Sequence, residues 1–238
     1  MTSDIAIVMV SVDRSPKRNY LGDTLMNLER GGVFRSGRKH SFHISNSRCD
    51  SFVDDCVTAL GLPIAVHKPE DQLNVNQNVV NALRIGALSG ATWVLFLEDD
   101  IDVCARFLDS VGAWLDEHRT ESDLVYAFGA AYDVIRNMSR RGATVWNYPV
   151  DGFYGTQAIA LHASDAADLA KWLEEHEQEY SIGAYDIRMH DWATSRGVTH
   201  FLASVPSFVQ HTGQESIIAP RAEVHTFTSW PGQEWSYQ

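Results

Sequence analysis

Hydrophobic and polar positions follow two different periods along the first half of the chain. Continuous or alternating apolar runs, typical of strands, occur at residues 5–12, 40–46, 63–67 and 92–98. Between and after them, helical spacing of apolar residues predicts helices at 19–30, 49–60, 75–88 and about 103–118. This alternating order predicts an α/β fold, a Rossmann-like open and mostly parallel sheet flanked by helices. Ligands of such sheets bind beyond the carboxyl ends of the strands.

The second half of the chain is less regular. Strands are predicted at 124–129, 156–162 and 198–205, and helices at 164–177 and 186–195. Residues 130–152 are polar and rich in turn-forming residues, and the last thirty residues show little periodicity. Because no repeat or linker separates the halves, we predict one domain over residues 1–238. Its more regular half ends near residue 120, and a less regular half follows from about residue 121.

Composition narrows the class of protein. The 238 residues are 45% hydrophobic, which provides a full-sized core and excludes intrinsic disorder. No run approaches the ~20 uncharged apolar residues that a membrane-spanning helix needs. The first residues lack the basic start and cleavage site of a signal peptide, so we expect a cytoplasmic protein. The three cysteines lack paired spacing, which predicts neither a disulfide framework nor a zinc knuckle.

Charge is distributed unevenly along the chain. The net charge of −12 repels polyanions and anionic membranes, yet residues 1–40 contain seven basic and four acidic residues. The basic residues are Arg14, Lys17, Arg18, Arg30, Arg35, Arg38 and Lys39. A local cationic patch in an acidic protein suits a small phosphate-bearing ligand, although for most of these residues solvated surface charge is the alternative.

The strongest chemical signal is the triplet Glu98-Asp99-Asp100, directly after the apolar run at 92–97. Adjacent carboxylates repel one another, and a hard divalent cation such as Mg²⁺ or Mn²⁺ removes that cost. The alternative is a solvated acidic turn before the next helix. In either case Asp102 is expected to be the N-cap of that helix rather than a metal ligand.

The triplet and its surroundings resemble the metal-binding DXD element of glycosyltransferases with the GT-A fold, which use a divalent ion to hold the diphosphate of a nucleotide-sugar. Further segments resemble other family elements in the expected order: IAIVMVSVDR, NQNVVNALRIGALSGATWVLFLEDD, DGFYGTQAIALH, AYDIRMHDW and PSFVQHTGQES. The resemblance covers residues 5–216, and the motif sequences are most similar to those of the N-acetylglucosaminyltransferases that branch N-glycans. It implies that the half up to about residue 120 binds the nucleotide-sugar and metal, and that the half from about residue 121 binds the acceptor and ends in a lid. Those enzymes are longer and membrane-anchored, so their acceptor is not transferred to this chain.

The resemblance implies a role for each acidic residue and for one histidine. Asp100 matches the residue that ligates the metal most directly, and His211 matches the late histidine that completes the metal shell. Glu98 and Asp99 would position the sugar, the ribose or metal-bound water. A neutral imidazole suits Mn²⁺ better than Mg²⁺. For His211 alone, a satisfied, partly buried side chain is the alternative.

Donor contacts are expected after the first two strands and on the helix before the triplet. The expected contacts are Ser11, Val12, Asp13, Arg14, Arg18, Asn46, Asn78 and Asn81. Arginine binds phosphate bidentately, and Asn46 would take the place of the aspartate that often contacts the base in this family. As an alternative, Asn78 and Asn81 are exposed helix residues without a ligand.

The reaction needs a carboxylate that takes the proton of the acceptor hydroxyl. Asp186, at the start of a predicted helix, matches the position of the catalytic base in the family, and Asp191 is the second candidate. A simple N-cap role is the alternative for Asp186.

We therefore predict a metal-dependent hexosyl- or N-acetylhexosaminyltransferase that uses a UDP-sugar, with inversion. The alternatives are a nucleotidyltransferase acting on a sugar phosphate and a non-catalytic nucleotide-sugar-binding module. The acceptor is left open among a glycan, a small molecule and a modified nucleic-acid base.

Overall fold

A computed structural model of the chain describes residues 4–15, 18–119, 124–129, 132–153, 156–179 and 185–212. Its strands are β1 (Ile5–Ser11), β2 (His40–Asn46), β3 (Ala65–His67), β4 (Trp93–Leu97), β5 (Ile101–Val103), β6 (Tyr126–Ala127), β7 (Val145–Pro149), β8 (Ala158–His162), β9 (His200–Ser204) and β10 (Val209–His211). Its α-helices are α1 (Leu21–Arg30), α2 (Phe52–Leu60), α3 (Val75–Leu88), α4 (Phe107–His118), α5 (Tyr132–Arg140), α6 (Ala163–Glu175) and α7 (Tyr185–Ser195).

Within the described residues, the main sheet has the strand order β3-β2-β1-β4-β8-β6-β9-β7. The strands β3, β2, β1 and β4 are mutually parallel. β8 is antiparallel to β4 and to β6, β9 is parallel to β6, and β7 is antiparallel to β9. The predicted α/β class with a mostly parallel sheet is confirmed, and strands from both halves of the chain share this sheet.

Successive side chains of the strands point to opposite faces of the sheet, and helices cover both faces, so the protein has two hydrophobic cores. Ile7 and Leu95 belong to the core under α1, α2 and α4, whereas Val8 and Phe96 belong to the core under α3, α6 and α7. The fit of α3 is close: a Cβ atom on Gly86 would lie 2.6 Å from Val94 Cγ1. None of the described helices is both long and apolar enough to cross a membrane.

The structure corrects the predicted helix over residues 103–118. Residues 101–103 form β5, which pairs antiparallel with β10, and α4 begins only at Phe107 after Arg106. The expected N-cap role of Asp102 is therefore wrong. Asp102 is buried within β5, and its carboxylate accepts a hydrogen bond from the Val103 N–H. The helix α5 and the strand β7 were also not predicted, since residues 130–152 have a polar, turn-rich pattern.

Candidate functional site

The carboxyl ends of three adjacent strands bring the acidic triplet to the loop after β1. Ser11 ends β1 opposite Asn46, which ends β2, and the parallel pairing of β1 with β4 places Met9 beside Leu97. The triplet that follows Leu97 therefore continues along the same edge of the sheet. This is the edge where ligands bind in open α/β sheets.

Asp99 is buried and held by the first loop. Its carboxylate accepts hydrogen bonds from Ser11 Oγ at 2.8 Å and from the Arg14 guanidinium, with which it forms an ion pair. Thr24 of α1 fixes the backbone here, because its hydroxyl donates to the Asp99 carbonyl at 2.9 Å. Burial raises the pKa of Asp99 above its usual value, although the positive charge of Arg14 opposes that shift.

Asp100 is only 7% exposed and is held at one oxygen. Its Oδ2 atom lies 3.2 Å from Arg14 Nη1 and 3.2 Å from His211 Nε2. Among the described residues, its buried Oδ1 atom has no hydrogen-bond partner. Burial alone would raise the pKa of Asp100, but the hydrogen bond and charge of His211 and the charge of Arg14 outweigh it and lower that pKa. Conversely, Asp100 outweighs the effect of burial on His211, so the pKa of that imidazole is raised.

His211 reaches the triplet through the short two-stranded sheet. In the pairing of β10 with β5, His211 lies opposite Ile101, directly after Asp100. Thr212 then donates two hydrogen bonds to the Asp100 carbonyl, from its N–H at 2.8 Å and from its hydroxyl at 2.9 Å. The late histidine and the triplet are thus fixed to each other through both backbone and side chains.

Glu98 completes a group that suits a divalent cation. Its Oε1 atom accepts a hydrogen bond from the Thr156 hydroxyl at 2.7 Å, and its N–H donates to the Gln157 carbonyl at 3.1 Å. One ligand atom from each of Glu98, Asp100 and His211 lies within 4.8 Å of the others. Two carboxylates and an imidazole are suitable ligands for Mn²⁺, and the unpartnered Oδ1 of Asp100 is an available one. The residues therefore fit the expected metal.

The loop after β1 is organised by its own side chains. Asp13 accepts hydrogen bonds from the Ser15 N–H and from Asn19 Nδ2, both at 2.9 Å, and these bonds lower its pKa. Val12 is partly buried between Ser11 and Asp13. Arg14 reaches the triplet across this loop. Arg18 contacts α1 and its start: it forms an ion pair with Asp23 at 2.7 Å and lies over the Tyr20 ring.

The three asparagines expected to contact the donor are engaged within the protein. Asn78 is buried and donates to the carbonyls of Ser11 and Ser45, at 3.3 and 3.1 Å, while its own Oδ1 accepts from the Ser45 hydroxyl at 2.7 Å. Asn81 donates to Ser45 Oγ at 2.8 Å. Asn46 is buried too, and its Oδ1 accepts a hydrogen bond from the Arg48 N–H. Asn78 is therefore not the exposed helix residue of the alternative interpretation.

The acceptor-side candidates lie on α7. Asp186 is in the first turn of this helix, but its side chain lies outside the described part of the structure. Asp191 lies 2.8 Å from His190 Nδ1. Between them, the fully buried Arg188 donates to the Glu177 carbonyl at 2.8 Å and so ties α7 to the segment after α6.

No protein-family model and no curated protein sequence matches this chain, but solved structures do. S. aureus TarS 1–349 matches with a TM-score of 0.54 and 13% identity over 86% of this chain and 58% of that one. The complex of TarS 1–349 with UDP-GlcNAc matches with a TM-score of 0.57 and 10% identity, over 93% of this chain and 62% of that one. The mannosyltransferase PcManGT from Pyrobaculum calidifontis, in complex with GDP-Man and Mn²⁺, matches with a TM-score of 0.54 and 13% identity. The match covers 85% of this chain and 54% of that one.

The chain has a GT-A-type fold. This likeness confirms the predicted fold, and the chain spans about three fifths of the length of the TarS chains that it matches. Residues that sequence reasoning missed support the site from elsewhere on the GT-A framework: Thr24, Thr156, Gln157, Arg188 and Thr212. Each is a single polar residue without a local pattern, so only its position in the fold gives it significance.

Proposed function

We propose that this chain is a metal-dependent glycosyltransferase that moves a hexosyl or N-acetylhexosaminyl group from a nucleoside-diphosphate sugar to an acceptor hydroxyl, with inversion. The observation that carries the proposal is the cluster of Glu98, Asp100 and His211, with an unpartnered buried oxygen, at the ligand-binding edge of a GT-A-type sheet. The similar structures include TarS in complex with UDP-GlcNAc and the mannosyltransferase in complex with GDP-Man and Mn²⁺, which supports a nucleotide-sugar donor for this chain. We propose a UDP-sugar as the donor, which is what the resemblance to the N-acetylglucosaminyltransferases implies.

The metal would be held by Asp100 and His211, with Glu98 beside them. A bound Mn²⁺ or Mg²⁺ would stabilise the negative charge that develops on the leaving diphosphate. Arg14 adds a fixed positive charge next to this position, since it contacts both Asp99 and Asp100. Because Asp99 already accepts hydrogen bonds from Ser11 and Arg14, we assign it the role of orienting Arg14 rather than of binding metal.

The donor would lie along the carboxyl ends of β1 and β2, where the loop of Ser11 to Arg14 follows β1. The hydrogen bonds of Asn78 and Asn81 make these residues supports of that edge, because they hold the ends of the two strands together. Arg18 remains a proposed phosphate contact, which would require it to leave its exposed partner Asp23. Exposed ion pairs of this kind contribute little stability, so that exchange costs little.

On the acceptor side we propose Asp186 as the general base and Asp191 as the alternative. The base takes the proton of the acceptor hydroxyl while its oxygen forms a bond to the anomeric carbon. The bond from that carbon to the diphosphate oxygen breaks at the same time, and the nucleoside diphosphate leaves. Displacement from the opposite side inverts the anomeric configuration.

The decisive experiment measures whether UDP and GDP bind in the presence of Mn²⁺, by calorimetry, and whether UDP-GlcNAc or GDP-mannose is then turned over. We expect Asp100→Asn to weaken Mn²⁺-dependent binding by more than the roughly 10- to 100-fold that loss of a supporting group costs. The matched control is Asp102→Asn, the same change at a buried aspartate two residues away, which should leave binding unchanged.

Two other results would contradict the proposal. Release of pyrophosphate instead of a nucleoside diphosphate would identify a nucleotidyltransferase. Binding of nucleotide-sugars without turnover for any hydroxyl acceptor or water would identify a binding module.

A further inference from the structure

Gln157 contains a buried acceptor that has no partner among the described residues. The residue is 7% exposed, directly precedes β8, and its Oε1 atom has no hydrogen-bond partner within the part of the chain that the structure describes. A buried polar atom without a partner destabilises the folded protein, because the hydrogen bonds it made to water are lost and not replaced. We therefore expect this loss of stability to be offset by a function of the unpaired oxygen, such as binding a ligand.

The backbone of Gln157 is joined to the candidate metal site. The Gln157 carbonyl accepts the hydrogen bond of the Glu98 N–H, and the preceding Thr156 holds the Glu98 carboxylate. The side-chain oxygen of Gln157 faces Gly129: a Cβ atom built on Gly129 would lie 3.6 Å from Gln157 Oε1 and 3.9 Å from the carbonyl of Val209, the first residue of β10. Gln157 is thus attached through its backbone to Glu98, and its oxygen faces Gly129 near the start of the strand that ends in His211.

An unpartnered buried oxygen is not by itself a site. Ser204 Oγ on β9 is also buried without a partner in the described structure, and Ser204 lies opposite Val145 of β7. What distinguishes Gln157 is its position against the Glu98 backbone and the absence of a side chain on Gly129. Ser204 therefore offers an internal comparison for the same chemical feature in a different setting.

We propose that Gln157 Oε1 accepts a hydrogen bond from a hydroxyl or amide N–H group of the sugar that the donor carries, and so determines which sugar is transferred. This inference rests on the proposed function. A side-chain carbonyl oxygen only accepts hydrogen bonds, so it selects sugars that present a donor group at this point. A site built to pair with such a group rejects analogues that lack it, because its own buried oxygen is then left unpaired.

The test replaces Gln157 by leucine, which has a similar volume and no acceptor. Binding of UDP-GlcNAc and UDP, and of GDP-mannose and GDP, is measured by calorimetry with Mn²⁺. We expect the nucleotide-sugar that the wild-type chain prefers to bind roughly 10- to 100-fold more weakly. Affinity for the matching nucleoside diphosphate should not change, and the melting temperature should stay the same or rise, since an unpaired buried oxygen has been removed.

Two companion variants sharpen the result. Gly129→Ala places a methyl group at ordinary contact distance from Oε1 and should also weaken nucleotide-sugar binding without lowering the melting temperature. Ser204→Ala removes the other unpartnered oxygen and should change neither affinity.

Three outcomes would overturn the inference. A lower melting temperature of Gln157→Leu with an unchanged ratio of nucleotide-sugar to nucleotide affinity would indicate a structural role. Slower transfer with unchanged nucleotide-sugar affinity would assign the oxygen to the acceptor. A wild-type chain that binds neither UDP nor GDP would contradict the proposed function, and this inference with it. The first two outcomes leave the proposed function intact.

Discussion

Two neighbouring groups of polar residues at the same edge of the sheet are held in opposite ways. The inner network, formed by Ser11, Ser45, Asn78, Asn81 and Asp99, is paired: its members bond to one another, to the strand backbone or to Arg14. The open edge, formed by Glu98, Asp100, Gln157 and His211, includes two buried oxygens without partners in the described chain, one on Asp100 and one on Gln157. The first group lies on α3 and at the carboxyl ends of β1, β2 and β4, and the second lies where β4 and β10 end and β8 begins.

The difference separates stability from ligand binding. Paired buried polar groups fix a unique arrangement, whereas unpaired ones reduce stability until something binds to them. We infer that the inner network sets the geometry of the edge and that the open edge receives the ligands. Changes in the first group should therefore affect unfolding, and changes in the second should affect binding or turnover.

The largest expected effect tests the proposed general base, Asp186, which belongs to neither group. Asp186→Asn retains the size of the side chain and its ability to accept hydrogen bonds in the first turn of α7, but an amide cannot take the proton of the acceptor hydroxyl. We expect transfer at saturating donor to fall by roughly 10²- to 10⁴-fold, as for other lost general bases. The measurement is the transfer rate beside the melting temperature, which should not change.

Asp191→Asn is the matched control and should reduce the rate much less. Full activity of Asp186→Asn with an unchanged melting temperature would exclude it as the base and would agree with a structural role only, since asparagine also caps helices. A loss of activity matched by a loss of stability would indicate that the variant is misfolded rather than deprived of a base. A product with retained anomeric configuration would exclude the inverting mechanism at any rate.

The helix α3, the strand β2 and the acidic triplet could be predicted from the sequence, because the patterns that indicate them lie within short segments of the chain. The bounds of α3 were predicted as the structure has them from its continuous apolar spacing, and the structure adds a capping box of Asn74 and Gln77 at its start. The strand β2 was equally clear. The clustering of Glu98, Asp99 and Asp100 after an apolar run was also a local signal, because like charges rarely gather without a cause.

The parts that were missed depend on contacts between distant segments. β5 and β10 are three residues each, and neither has a pattern that indicates a strand until it meets its partner. For that reason Asp102 was assigned to a helix cap. The ion pair of Arg14 with Asp99 and the position of Gln157 beside Glu98 likewise follow from the fold, not from any spacing. The assigned roles of these site residues stay predictions.

A smaller effect is expected from the centre of the inner network. Asn78→Ala removes two donated hydrogen bonds and leaves the carbonyls of Ser11 and Ser45 and the Ser45 hydroxyl without this partner. We expect the free energy of unfolding to fall by about 2–3 kcal/mol, measured by urea denaturation. Asn81→Ala, which loses one hydrogen bond, should cost less. If Asn78→Ala instead left stability unchanged and abolished nucleotide binding, the contrast between the two groups would be wrong.

The smallest expected effect is a change in the pH dependence of stability, caused by a histidine pair on β2 and β3 at one end of the sheet. His43 of β2 and His67 of β3 share a hydrogen bond of 3.1 Å between Nδ1 and Nε2. Burial lowers the pKa of both below the ordinary value of 6.5, and repulsion from His67 lowers the pKa of His43 further. Because the folded state resists protonation, the unfolded state takes up more protons as the pH falls through about 6.5. The stability that these neutral histidines contribute is therefore present above that pH and is lost below it.

His43→Asn removes one of the two titrating groups, the one whose pKa is lowered by both burial and the charge of its neighbour. We expect the loss of unfolding free energy between pH 7.5 and pH 5.5 to be smaller in this variant than in the wild-type chain, measured by urea denaturation at both pH values. Affinity for a nucleoside diphosphate at pH 7.5 should be the same in both, since the pair lies at the β2–β3 side of the sheet, away from β4 and the triplet. An equal pH dependence in the variant and the wild type would show that the pair titrates as it does in the unfolded chain. A change in nucleotide affinity would show that the outer strands are coupled to the open edge, and the separation between stability and binding would then fail at its simplest point.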